Sequence, residues 1–446
     1  MSKQKAIAVF DIGKTNKKLL LFNEDYDVVF ERSLQFDEIK DEDEFPCENV
    51  AALTAWIKSS VGEVLTLEDV EINTINFSAY GASFVHVDEK ENPVTPLYNY
   101  LKPFPEELQK KFYADYGGEI NFSKTTASPV LGNLNSGLQL YRLKYERPDL
   151  FNKIHCSLHL PQYISSILTK KNYSDITSIG CHTGLWDFTQ KKYHEWVQKE
   201  NVISKLAEIY PCNHVEKAQW KNKLLEIGIG MHDSSSALVP YLLSFKEPFV
   251  LLSTGTWNIS LNPFNEKALT ADELQNDCLC YLTHESNPVK ASRLFAGNEY
   301  ELQVKRIASH FNQKVEKYFS IKFDSELLSK VEKSNSYNLK TFSERSLGAF
   351  VNDIHAYYQL INDLVGVQVF STNLILTDNV HSIFVDGGFS KNSIFMNMLA
   401  MRYRNKKIYA ATIAQASSLG AALVIHEKWN EKEMKKDLVT LELYNF

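Results

Sequence analysis

Apolar residues in this chain follow two spacings. Short continuous runs, bounded by glycine or polar turns, predict strands at Ala6–Phe10, Lys17–Phe22, Val28–Arg32, Ile72–Phe77 and Phe84–Val87. The second half repeats the pattern at Glu247–Leu252, Ile259–Leu261, Ser382–Val385 and Lys407–Ala410. Steps of three and four predict helices over Val50–Leu65, 102–116, 136–147 and Pro161–Thr169. Leu347, Phe350, Val351, Ile354, Tyr358, Ile361 and Leu364 predict one long buried helix. Ser393–Met401 and Gln415–Ile425 read as two more, the last with small residues at Gly420-Ala-Ala that allow close packing.

Two strand–turn–strand units stand about half a chain apart. The first turns through Asp11-Ile-Gly-Lys-Thr-Asn16, the second through Ser253-Thr-Gly-Thr-Trp-Asn258. Aligned without gaps, their glycines and terminal asparagines coincide, which suggests duplication of one α/β unit. Gly13 lets backbone N–H groups approach an anion. A plain hairpin turn uses the same residue types, and the spacing is not that of a P-loop. A third glycine turn, Asp386-Gly-Gly-Phe-Ser-Lys-Asn392, joins a strand to a helix. It reads as backbone presented to a nucleotide or as an ordinary βα loop.

Composition narrows the classes. A chain of 446 residues, 44% hydrophobic, has room for two or three domains. A net charge of −7 gives no basic footprint for nucleic acid. The acidic run Asp37–Glu44 reads as a solvated loop. Six cysteines without a C-x-x-C pair exclude a zinc ribbon and fit a reducing cytosol. Cys278 and Cys280 share one face of a strand as small buried hydrophobes. His155, His159 and His182 lack metal-ligand spacing and read as structural or pocket-lining. The apolar run after the first five residues is too short for a signal core, and no run is long enough to span a membrane. A cytoplasmic chain is expected.

The stretch Ile227-Gly-Ile-Gly-Met-His-Asp-Ser-Ser-Ser-Ala-Leu238 places one carboxylate, Asp233, where a turn enters a helix. A helix cap is the plain reading. The other is a base that takes a proton from an acceptor during phosphoryl transfer.

Together, and in this order, the four segments resemble the FGGY family of carbohydrate kinases. His232-Asp233-Ser234 and Ser253-x-Gly-Thr-Trp257 are similar to its rhamnulokinase and fuculokinase members, as is Gln139–Asp149. The family's aromatic-x-Asp-x-Arg segment stands here as Tyr98-Asn-Tyr-Leu-Lys102. Lys18 replaces an arginine often found in the first phosphate loop, and holds phosphate as a point charge.

The resemblance implies an α/β, two-domain, actin/hexokinase-like (ribonuclease H-like) fold, with a duplicated mixed-sheet unit and a central cleft. Residues 1–245 would hold the sugar and the first phosphate loop, and residues 246–446 would hold ATP. Asp233 would be the base, ionised at an ordinary pKa near ~3.9. Asp11 would hold Mg²⁺ through water. Gly13, Lys14, Thr15, Asn16, Lys18, Gly255 and Thr256 would meet the phosphates. Gly387, Gly388 and Asn392 would line adenosine, with Gly388 at the purine or ribose. Gly81, His232 and Ser234 would join Asp233 around the sugar. A ketose such as L-rhamnulose or L-fuculose is the expected acceptor. D-xylulose, glycerol or another polyol is the alternative. A non-catalytic sugar sensor on the same fold is the further one, though the residues before Ala6 are too few for a DNA-reading helix-turn-helix. No nucleic-acid or membrane partner is expected, and a homodimer is the oligomer allowed for.

Overall fold

The computed structural model describes residues 3–332, 338–413 and 415–445. Two seven-stranded mixed sheets carry the fold. The first contains β1 (Gln4–Ile12), β2 (Lys17–Asn23), β3 (Val28–Leu34), β4 (Val70–Ala79), β5 (Val215–Trp220), β6 (Lys223–Gly228) and β7 (Met231–His232). Its order is β5-β6-β4-β1-β2-β3, with β7 beside β4. The second contains β8 (Phe249–Thr254), β9 (Asn258–Asn262), β10 (Cys278–Leu282), β11 (Pro288–Leu294), β12 (Ser382–Gly387), β13 (Lys407–Thr412) and β14 (Thr440–Tyr444), in the order β10-β11-β9-β8-β12-β13-β14.

The pairing repeats strand for strand. β1 runs antiparallel to β2 and parallel to β4, as β8 does to β9 and β12. The turns differ by one residue, because Ile12 pairs with Lys17 but Thr254 pairs with Asn258. The gapless alignment therefore fails at its end. Asn16 is exposed in its turn, whereas Asn258 is a fully buried strand residue bonded to Gln368.

Alternation along the central strands feeds both faces of each sheet. Ala6, Ala8, Phe10 and Ile12 of β1 pack under the helices Val50–Val64 and Leu160–Thr169. Ile7 and Val9 point the other way, onto Leu419 and Leu423 of the helix Ala416–Val424. In the second sheet, Val250 and Leu252 face the helix Asp353–Ile375, while Phe249 and Leu251 face Leu238 and Tyr241 of the helix Asp233–Ser244. Each fully buried Val, Leu, Ile or Phe among them contributes about 1.5–3 kcal/mol. The consequence is an exchange. The helix that follows the first sheet in sequence lies on the second sheet, and the helix that follows β13 of the second sheet lies on the first. The two cross where a Cβ on Gly420 would stand 1.8 Å from the Ser236 carbonyl oxygen.

Several expected elements shift. Helix 102–116 is confined to Glu106–Asp115, since Pro103 and Pro105 keep the preceding residues extended. The long helix begins only at Asp353, capped by the Asn352 side chain. Leu347 and Phe350 thus lie outside it, and Val351 is 86% exposed. Phe84–Val87 pairs with Cys156–His159 in a separate small sheet. The acidic run is not wholly solvated, because Asp41 is buried against Lys102. Cys278 and Cys280 do share a face, in one core cluster, and all six cysteines are free and buried. Among the described residues no helix is long and apolar enough to cross a membrane.

Candidate functional site

Asp233 is the first residue of its helix, with His232 at the cap position. It is therefore not the cap itself. Its Oδ1 accepts from the Ser234 N–H at 2.6 Å and from Ser234 Oγ at 3.2 Å. About a third of the side chain, 32%, faces the cleft. Burial of the rest raises its pKa from the ordinary 3.8 to about 6. This corrects the expectation of an unshifted carboxylate, yet one unit below neutrality still leaves roughly nine in ten ionised at pH 7.

His232 Nε2 stands 3.2 Å from Asp233 Oδ1. Burial lowers the imidazole pKa to about 4. Asp233 ionises only above that range, so at no pH are both partners mostly charged, and the contact is not an ion pair. Ser235 uses its proton on the Leu282 carbonyl at 2.8 Å, which leaves its oxygen to accept from His232 Nδ1 at 3.3 Å. Nε2 is then left to accept from the Cys181 thiol, 3.1 Å away. Gly81 makes this packing possible: a Cβ there would stand 2.6 Å from Cys181 Sγ and about 3 Å from the imidazole. Gly81 and His232 are thus packing neighbours. His182 lies beside them, its Nε2 3.3 Å from Cys181. His159 is buried on the Phe84 ring, and His155 is a surface residue.

Asp11 closes β1 opposite Lys18 on β2. Its Oδ2 accepts from Ser417 Oγ at 2.7 Å and Ser418 Oγ at 3.1 Å, both from the helix that crossed over. Burial and the charge of Asp233 raise its pKa, against the pull of these hydroxyls. Lys18 donates to Gln415, and Lys14 turns away to Glu38 at 2.6 Å. Thr15 and Asn16 are exposed on the turn. Beneath it, the buried pair Lys17–Glu48, 3.0 Å apart, ties the Lys14 carbonyl and the Tyr80 hydroxyl together.

The second sheet supplies the facing wall. Gly255, Thr256, Gly388 and Asn392 line a cavity of about 600 Å³ with Tyr300, Phe319 and Phe389. The left-handed residue of the third turn is Gly387, at φ +89°, and a Cβ there would meet the Thr254 carbonyl oxygen at 2.0 Å. Gly388 has an ordinary φ of −63°, and a Cβ there would come no nearer than 3.9 Å to the Thr254 carbonyl oxygen. So the conformational demand falls on Gly387, and Gly388 faces the cavity. Asn392 caps the helix Ser393–Arg402 while its amide donates to Tyr357. A smaller cavity of about 180 Å³ joins Asp233 and Ser234 to Ser253, Ile259, Asp386 and Ser417.

The donor set fits a hard divalent cation. The carboxylates of Asp11 and Asp386 are both pushed up by burial, and at Asp11 the charge of Asp233 adds to the rise, so a cation would offset charge that solvent reaches poorly. No group of three or more acidic, His or Cys residues forms a closed cage among the described residues. Mg²⁺ characteristically takes one or two carboxylates and completes its shell with water and phosphate. Sequence reasoning missed Asp386, Ser417 and Ser418. Of these, only Asp386 carried a signal, as the first residue of a turn already singled out.

The two duplicated mixed sheets, crossed helices and intervening cleft define the actin/hexokinase type of two-domain fold. Residues 6–228 match the N-terminal domain of the FGGY family of carbohydrate kinases, and residues 246–433 match "Carbohydrate kinase FGGY, C-terminal domain". The chain belongs to that family. Among curated relatives, it is 24% identical over 268 residues to a rhamnulokinase of Halalkalibacterium halodurans, covering 56% of this chain and 52% of the relative. A rhamnulokinase of Mannheimia succiniciproducens is 21% identical over 263 residues, covering 57% and 52%. The chain spans about half the length of the curated relatives it matches. Among solved structures, a carbohydrate kinase from Novosphingobium aromaticivorans superposes with a TM-score of 0.79 at 20% identity, covering 100% of this chain and 95% of that one. A xylulose kinase from Lactobacillus acidophilus gives 0.80 at 14%, covering 99% and 94%.

Proposed function

We propose that this chain transfers the γ-phosphate of ATP to a hydroxyl of a ketose such as L-rhamnulose or L-fuculose. The observation that carries the reading is the cavity in which the half-buried Asp233 meets residues of the second and third turns. Asp233 is mostly ionised at neutral pH and sits where a sugar hydroxyl can give up its proton. Gly255 and Thr256 would orient the phosphates, and the 600 Å³ cavity would receive adenosine. Asp11 would hold Mg²⁺, which when bound offsets charge on the phosphoryl oxygens. Residues 1–245 would carry most of the sugar contacts and 246–446 most of the ATP contacts. Closure of the cleft would exclude water. The ketose preference draws on the relatives, both rhamnulokinases.

A second reading, D-xylulose or a smaller polyol, is favoured by Tyr100. Its hydroxyl is raised in pKa by burial first and then by the charge of Asp233, and it stands where a carboxylate was expected. A coupled ADP-release screen over ketoses, aldoses and polyols decides between them. Turnover with no acceptor in the panel overturns the kinase reading. Turnover with glycerol alone overturns only the ketose.

A further inference from the structure

We propose that Arg293 is a specificity residue of the acceptor site, a guanidinium that the second sheet presents to an oxygen of the sugar. The inference rests on the sugar-kinase reading above. Arg293 sits near the end of β11, and its direct antiparallel partner is Ile259. Ile259 lines the cavity that holds Asp233. Directly paired side chains share a face of the sheet, with Cβ atoms about 4.5–5.5 Å apart. Arg293 therefore leaves the sheet on the side of Asp233. The adjoining strand β10 adds Tyr281, whose ring stacks on His232 at 5.4 Å.

The side chain is held but not satisfied. Nη2 donates to Asp277 Oδ1 at 2.7 Å, and the guanidinium carbon lies 5.3 Å from the centre of the Trp257 ring. Only 9% of the side chain is exposed. Even so, Nε has no hydrogen-bond partner among the described residues. Buried polar groups are normally paired, and one left open beside a reactive cavity calls for an acceptor that comes with the ligand. Two other buried cations of the first sheet's side are committed elsewhere. Lys17 is paired with Glu48, and Lys102 with Asp41 and Asp43.

The chemistry of the partner follows. Nε–H donates and cannot accept. Asp277 balances the positive charge, while Asp11 and Asp233 make the cleft acidic. A neutral hydroxyl, ring or carbonyl oxygen fits, and a carboxylate on the acceptor does not. Trp257, 42% exposed and tilted against the Phe295 ring at 4.5 Å, would cover the apolar side of the same sugar.

The test is steady-state kinetics on Arg293→Gln and Arg293→Lys with the best acceptor of the panel. The expected result is a sugar KM raised at least tenfold, with the KM for ATP and the Tm near wild type. Neither variant should discriminate the acceptor from its deoxy analogues as the wild type does. Arg293→Lys keeps the charge against Asp277, so it serves if the Gln variant fails to fold. An unchanged sugar KM, or a rise in both KM values with a fall in Tm, overturns the proposal. If the wild type turns over no acceptor, the kinase reading falls and takes this inference with it. If the wild type is active and Arg293→Gln keeps its sugar KM, only this inference falls.

Discussion

Ser417 Oγ donates to Asp11 Oδ2 at 2.7 Å across 406 residues of sequence. The hydroxyl comes from the helix that crosses onto the first sheet, so the orientation of Asp11 depends on the two halves being docked. Ser417→Ala combined with Ser418→Ala removes both donors. The Mg²⁺ concentration for half-maximal rate should rise about tenfold, the usual scale for loss of an outer-shell partner. A Mg²⁺ titration of kcat checks this, and an unchanged midpoint refutes the role given to Asp11.

Asp233→Asn should lower kcat by about 10²–10⁴, the worth of a positioned general base. ATP binding should stay near normal, because the proposed nucleotide cavity does not include this residue. A folded variant keeping more than about a tenth of wild-type kcat would contradict the base assignment.

The same substitution should stabilise the protein at neutral pH. Folding raises the Asp233 pKa from 3.8 to about 6, so the native state holds the proton longer than the unfolded chain. Stability from this group therefore falls as pH rises from about 3.8 to 6, then levels off. Asn escapes that penalty. A full shift of two units is worth about 3 kcal/mol. With a third of the side chain in water, about 1–2 kcal/mol is expected at pH 7–8, vanishing near pH 4. Denaturant titrations at the two pH values test the sign. In the wild type, kcat/KM should fall on acidification with an apparent pKa near 6.

Gly387→Ala and Gly388→Ala should behave differently although they are neighbours. The first forces a Cβ to 2.0 Å from the Thr254 oxygen at a φ of +89°. A loss above about 2 kcal/mol is expected. The second places its methyl in ordinary van der Waals contact, 3.9 Å from the Thr254 carbonyl oxygen. Its Tm should move little, so any change in ATP KM reports on the cavity. Equal Tm losses would mean that the turn is misread.

Gly420→Ala tests the helix crossing. Its methyl would lie 1.8 Å from the Ser236 carbonyl oxygen, so the two helices must part. Thermal unfolding should show a loss of about 1–3 kcal/mol. Because Asp233 begins one helix and Ser417 belongs to the other, kcat should fall as well. A fully active variant with lowered Tm would separate the crossing from catalysis.

Part of the candidate site was legible before the fold. Asp233, Gly255, Thr256 and Gly388 were marked by small residues at strand ends, a local signal; Asp233 lines the smaller cavity and the other three line the larger one. Asn258 was misjudged because the two turns differ in length by one residue, which a gapless alignment cannot register. Asp41 hid within an acidic run, since charge pattern says nothing of a lysine 61 residues away.

The chain's own pattern determined the duplicated strands, the glycine turns and the single carboxylate before the serines. These depend on alternation and turn chemistry within a few residues. The tertiary structure alone decided which helix covers which sheet, that Ser417 and Ser418 hold Asp11, and that Arg293 stands on the face of Asp233. It also decided the proton affinity of Asp233. Such contacts and desolvation arise when sheet register and helix crossing bring residues hundreds of positions apart within a few ångströms, and no local period encodes that distance.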